Sequence, residues 1–160
     1  MATQLVIPLS ESPCVRIDAE ANEDEMVSAA LAYYKHGRFN KEASVRVSMR
    51  RQPGVDTGGV RRQLFSTVFG DIALSKSVQA FEGPVQRLRP SYRASNSSSG
   101  LLTTIGTMVG YSFLLDGYGF PYLSECCYYF IAGCSDKALT CITTEDVEEQ
   151  VKVLIQEVSL

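Results

Sequence analysis

The 160-residue chain has one histidine, His36, and no C-x-x-C pair. That scarcity argues against a structural zinc and against a Cys–His nucleophile, both of which need such groups brought together. Its five cysteines, Cys14, Cys126, Cys127, Cys134 and Cys141, are odd in number and include an adjacent pair, so they read as reduced thiols rather than a disulfide framework. Cys126 and Cys127 read as small buried hydrophobes. Long apolar runs are missing too. The strongest, "LLTTIGTMVGYSFLL", is broken by Gly and Thr and falls short of the ~20 apolar residues of a spanning helix. The opening "MATQLVIPLS" lacks the basic start and small-residue cleavage site of a secretory signal. The expectation is an intracellular protein, cytoplasmic or nuclear, with no membrane partner.

What is present describes one globular domain over residues 1–160, with 45% hydrophobic and 21% charged residues. The net charge of −3 is unevenly spread: residues 35 to 93 hold twelve of the fifteen Lys and Arg against four acids, and the flanks are acidic. Clustered cations of this kind can mark a phosphate-binding face, but no stacking aromatics are interleaved with the arginines. Nucleic acid is not an expected partner. No internal repeat appears.

Along the chain, "NEDEMVSAALAYYKHG" predicts a helix capped by Asn22, with Met26, Ala30 and Tyr33 on its apolar face and a stop at Gly37. His36 sits at that helix end, where it suits the helix dipole. "SVRVSM" alternates Val45 and Val47 with Arg46 and Ser48, the period of a half-buried strand. From Asp56 onward Val60, Leu64, Phe65 and Val68 recur on a helical face. The serine-rich "SNSSSG" predicts a flexible loop at about 90–100. A helix follows with Leu101, Ile105, Met108, Val109, Ser112 and Phe113 on one stripe, and Gly106 and Gly110 placed to let a neighbour approach closely. "YLSECCYYFIAG" predicts a short helix ending at Gly133. The last segment, about 143–158, predicts an amphipathic helix capped by Thr143 or Thr144, with Val147, Val151, Leu154, Ile155 and Val158 on one side. Five acids against one lysine charge its other face, including Glu148 and Glu149, which point in different directions and make no acid–base pair.

The densest motif is "QPGVDTGGVRRQLF", residues 52–65. Gly54 and Gly59 carry the outer spacing of a phosphate-binding G-x-x-x-x-G loop. Val60 and Arg61 follow, where such a loop needs a lysine for the phosphates and a hydroxyl for magnesium. The stretch therefore reads as a strand-to-helix corner. Asp56 or Thr57 is placed to accept hydrogen bonds from the first helical turn, the glycines permit a tight bend, and Arg62 is placed to bond nearby carbonyls or a carboxylate.

This order of elements resembles the N-terminal lobe of HECT-type ubiquitin ligases over about residues 15–135. The corner pattern of that family is matched by Gly54, Val55, Asp56, Gly58, Gly59, Arg62 and Phe65, and its later pattern more loosely by Gly106, Gly110, Phe120, Pro121, Tyr128 and Gly133. Gln63 stands where the family has an acid, and Gln52 and Pro53 replace a Gly-Glu pair. The resemblance implies an α+β, mostly helical subdomain with a minor β component. It implies a structural corner made of Gly54, Asp56, Gly58, Gly59, Arg62 and Phe65, and no catalytic residue, cofactor or metal in this segment. The family's ubiquitin-accepting cysteine lies in a separate C-terminal lobe, and the subdomain that docks the conjugating enzyme would begin after about residue 140. Conjugating enzyme and ubiquitin are then partners through a parent chain. The alternative is a stand-alone interaction module with a protein partner at the terminal helix.

Overall fold

The computed structural model describes residues 14–18, 23–35, 45–50, 58–74, 78–147 and 149–158. In chain order these form β1 (Cys14–Asp18), α1 (Glu23–Lys35), β2 (Arg46–Arg50), α2 (Gly59–Leu74), β3 (Phe81–Glu82), β4 (Arg89–Pro90), α3 (Ala94–Ser98), α4 (Leu101–Asp116), α5 (Glu125–Ile131), α6 (Ser135–Thr140), a 3₁₀ turn (Thr144–Asp146) and α7 (Glu149–Val158). The protein is α+β and mostly helical, with two small two-stranded sheets among the described residues. The chain groups into two compact units, residues 1–71 with 100–119 and residues 72–99 with 120–160.

In the first unit β1 and β2 pair in parallel, Cys14 opposite Arg46 and Asp18 opposite Arg50. Parallel neighbours need a crossover rather than a hairpin, and α1 lies in that connection. Val45 and Val47 are buried while Arg46 and Ser48 are exposed, so the alternation of "SVRVSM" has its predicted outcome. Helix α1 buries Val27, Ala30 and Tyr34, one position on from the expected Met26 and Tyr33. Met-Val and Tyr-Tyr are adjacent apolar pairs, so the same period fits two stripes and packing selects one. Tyr34 meets Tyr111 of α4 edge-on, centroids 6.2 Å apart. Leu64, Phe65 and Val68 of α2 are buried as the helical period predicts and Val60 is half-buried, while Phe69 joins them and stacks on Phe65 at 5.6 Å.

Helix α4 differs from expectation on two counts. Its buried arc is Thr104, Ile105, Met108, Tyr111 and Ser112, while Phe113 is exposed. Ser112 is tolerated inside because its hydroxyl lies 2.9 and 2.6 Å from the carbonyls of Val109 and Tyr118, which share its one proton. Gly106 and Gly110 are exposed, and a β-carbon at either would meet nothing within 4 Å. Among the described residues no neighbour approaches either glycine closely.

In the second unit β3 and β4 pair antiparallel, and Leu88 bridges to Leu123 through Leu88 N–H to Tyr122 O at 2.8 Å and Ser124 N–H to Leu88 O at 2.9 Å. Phe81 stacks on Phe120 at 5.1 Å. The expected loop at about 90–100 contains a helix, α3, held by buried Asn96 donating to the Gln79 carbonyl at 3.1 Å. Serine is no strong helix former, so that tether does what propensity does not. Thr143 caps the 3₁₀ turn in a reciprocal box with Asp146, its hydroxyl accepting from Glu145 N–H at 3.3 Å and its own N–H donating to Asp146 Oδ2 at 2.8 Å. Helix α7 covers only the later part of the predicted 143–158, with the 3₁₀ turn in place of its start, and Val151, Leu154, Ile155 and Val158 are exposed.

Candidate functional site

The glycine corner is partly in view. Gly54 and Asp56 lie outside the described residues, as do Thr57 and His36. Gly58 has φ of +96°, a backbone region that side-chain-bearing residues rarely enter. Its carbonyl accepts from Arg62 N–H at 3.1 Å, so Gly58 occupies the capping position of α2 and the chain turns into the helix there. A β-carbon on Gly58 would find ordinary contacts, 3.7 Å to Asp116 Oδ1 and 3.8 Å to Arg61 Nη2. Conformation, not crowding, calls for glycine at that position. Gly59 is exposed with open space around it, and Phe65 is buried in the core of the first unit.

The arginine that organises the corner is Arg61 rather than Arg62. Arg61 Nε and Nη2 donate to the two carboxylate oxygens of Asp116, both at 3.1 Å, and Nη1 donates to the Val45 carbonyl at 3.2 Å. One planar guanidinium thereby ties the start of α2 to the end of α4 and to the residue that leads into β2, in the fork geometry that arginine alone supplies. Arg62 reaches only the Asp116 carbonyl, at 3.4 Å and exposed. Arg62 thus reaches a nearby carbonyl as expected, and the carboxylate itself is held by its neighbour Arg61. A signal was present: Asp116 closes a helix, where the dipole disfavours a carboxylate, so that aspartate requires a cation from elsewhere in the chain.

Two tyrosines lie close to this node. Burial pushes the Tyr34 hydroxyl well above the ordinary tyrosine range, with Tyr111 and Tyr33 adding to the effect and Arg61 opposing it. Tyr111 is raised as well, chiefly by burial, against a backbone hydrogen bond at Val45 and the Arg61 charge. With its guanidinium occupied on three sides, Arg61 is a clamp and offers no cradle for an anion.

The thiols of the second unit sit in another setting. Buried Ser124 places its Oγ 3.1 Å from Cys126 Sγ and 3.2 Å from Cys127 Sγ. Both cysteines are half-buried rather than buried as expected, because they line a cavity of about 350 Å³ together with Pro90, Phe130, Ser135, Ala138, Leu139 and Ile142. Burial raises the Cys127 thiol, and the hydrogen bond from Ser124 offsets only part of the effect. Cys141 is raised for the same leading reason, with Cys126 and Glu125 adding to it. A raised thiol keeps its proton at neutral pH and is a poor nucleophile. Among the described residues no group of three His, Cys, Asp or Glu is placed to hold a metal ion. No helix among them is long and apolar enough to cross a membrane.

Nearby, Arg87 Nη1 donates to Thr143 Oγ1 at 3.0 Å and to Asp146 Oδ1 at 3.2 Å, and Arg89 bonds Glu82 and the Asp146 carbonyl. The acidic start of the terminal segment is thus anchored by basic residues of the β3–β4 region. Comparison with protein-family models, with curated proteins and with solved structures finds no match for this chain.

Proposed function

We propose that the chain acts as the larger subdomain of a HECT-like N-terminal lobe, a structural scaffold for ubiquitin transfer that performs no thiol chemistry of its own. The observation that carries this reading is the corner. A pattern of closely spaced glycines followed by arginines makes physical sense only if the backbone needs unusual dihedrals and the side chains brace the turn. Gly58 at φ +96° and the Arg61–Asp116 fork answer both needs. The raised Cys127 and Cys141 thiols agree with a segment that positions other groups. In a ligase of this type ubiquitin travels as a thioester on a cysteine of another lobe, and this subdomain would contribute by holding geometry.

The test is a chimera in which residues 15–135 replace the corresponding segment of a HECT-type ligase. After incubation with activating enzyme, conjugating enzymes and ubiquitin, a reducible adduct is expected on the ligase's C-terminal cysteine and none on Cys126, Cys127 or Cys134. A folded chimera that forms no thioester would overturn the scaffold reading. An adduct on one of this chain's own thiols would overturn it from the other side.

One observation favours the second reading, a protein-interaction module: on the apolar face of α7, Val151, Leu154 and Val158 are exposed among the described residues. Capture that survives high salt would assign such binding to this face, since screening weakens contacts made through the acidic one.

A further inference from the structure

We propose that the apolar groove of the second unit is a docking site for helix α7 of a second copy of this chain, each copy lending its helix to the other. The groove is the cavity of about 350 Å³ bordered by α5 and α6, within the ~300–1,000 Å³ range of pockets that accept a ligand or an inserted side chain. At its rim Phe130 is 70% exposed, Leu139 71% and Ile142 52%. These are large apolar groups that a solvated surface has no use for when contiguous. Helix α7 presents the complementary half. Val151, Leu154 and Val158 follow one another at spacings of three and four, and Leu154 and Val158 are 59% and 88% exposed. That spacing is the anchor pattern of a helix laid into an apolar groove.

Groove and helix belong to the same chain and are exposed at the same time, so the occupant each lacks is carried by every other copy. The area argues for reciprocal exchange. Six side chains at roughly 100 Å² apiece amount to about 600 Å² for a single helix-in-groove contact, below a stable interface. Two such contacts, related by a two-fold axis, bury about 1,200 Å², where stable interfaces begin. Closure also satisfies both surfaces of both copies, whereas a one-way contact would leave a groove and a helix open at the ends of a growing chain. The pairing is independent of ubiquitin transfer: it uses neither the glycine corner nor any thiol chemistry.

Sedimentation equilibrium of the full chain tests it. The wild-type protein is expected as a monomer–dimer equilibrium. Leu154→Asp on the helix and Leu139→Asp in the groove should each weaken association at least tenfold. The decisive step mixes the two variants. Neither variant's own dimer retains an intact contact, whereas a mixed dimer retains one of the two, so the mixture should associate more tightly than either variant by itself and less tightly than the wild type. Val158→Asp crossed with Phe130→Asp repeats the experiment at other exposed positions, with far-UV circular dichroism establishing that each variant is folded. A wild-type chain that stays monomeric up to its solubility limit would overturn the proposal. So would a dimer indifferent to both substitutions, as would a mixture no tighter than its components.

Discussion

Replacing Arg61 with alanine would remove a guanidinium that is 19% exposed and leave the Asp116 carboxylate, 8% exposed, at the C-terminal end of α4. Partial negative charge from the helix dipole already gathers at that end, and Arg61 is the charge that compensates it. Breaking a buried pair from one side costs about 3–5 kcal/mol. Partial exposure of the guanidinium lets water restore some of that, which brings the expected loss to about 2–3 kcal/mol. For a chain of this length the loss corresponds to a melting temperature lower by roughly 5–10 °C. Thermal unfolding followed by circular dichroism measures it, with urea titration as a check that the slope is unchanged. A double-mutant cycle isolates the pair. Arg61→Met combined with Asp116→Leu should be no worse than Arg61→Met alone, because no uncompensated charge then remains. An Arg61→Ala protein that melts with the wild type would refute the clamp. Additive single losses in the cycle would show that the two side chains act separately.

The corner makes a second prediction: Gly58→Val should cost about 1–3 kcal/mol because valine is strained at positive φ, read as a shift of the urea midpoint. Gly106→Ala should move the same midpoint the other way by about 0.5–1 kcal/mol, since Gly106 is an exposed helix-interior glycine with open space around it. Tyr34 governs alkaline behaviour. Its folded value is raised above the ordinary 10.0, so the stability linked to its neutral form is intact below that pH and is lost as pH rises beyond it. In thermal melts across the alkaline range the wild type should lose stability relative to Tyr34→Phe as pH rises above 10.0, and profiles that run parallel would show that linkage to be absent. Alkylation followed by peptide mass spectrometry should find exposed Cys134 modified well before Cys127 at neutral pH, the gap narrowing as pH rises. Equal rates at neutral pH would contradict the account of the half-buried Cys127 thiol. Thr143→Val should loosen the 3₁₀ turn at a cost of about 1 kcal/mol, detectable as faster amide exchange at Glu145.

How far the sequence alone reached depended on the range of the interaction behind each feature. The alternation around Val45 and Val47 and the helical period of Leu64, Phe65 and Val68 were legible because each rests on contacts within a few residues. Adjacent similar residues defeated the same reasoning. Met26 and Val27, or Tyr33 and Tyr34, satisfy one helical period equally, and packing on α4 decides which member is buried. Arg61 and Arg62 are locally alike, yet Asp116 lies 55 positions away from Arg61 and only the folded chain brings it there. The serine-rich run became a helix through Asn96 and the Gln79 carbonyl, a bond across 17 positions that no local propensity announces.

The sequence by itself determined strand β2 and helices α1, α2, α4 and α5, the need for an unusual backbone at the glycine corner and the amphipathic character of the terminal helix, because backbone geometry and side-chain period are properties of neighbours along the chain. Tertiary structure alone decided which arginine became the clamp, which thiols came to line a cavity, and that the apolar face of α7 stayed in solvent while Gly106 and Gly110 faced open space. Burial and charge pairing are properties of neighbours in space, and those are chosen only when distant segments compete for the same partners.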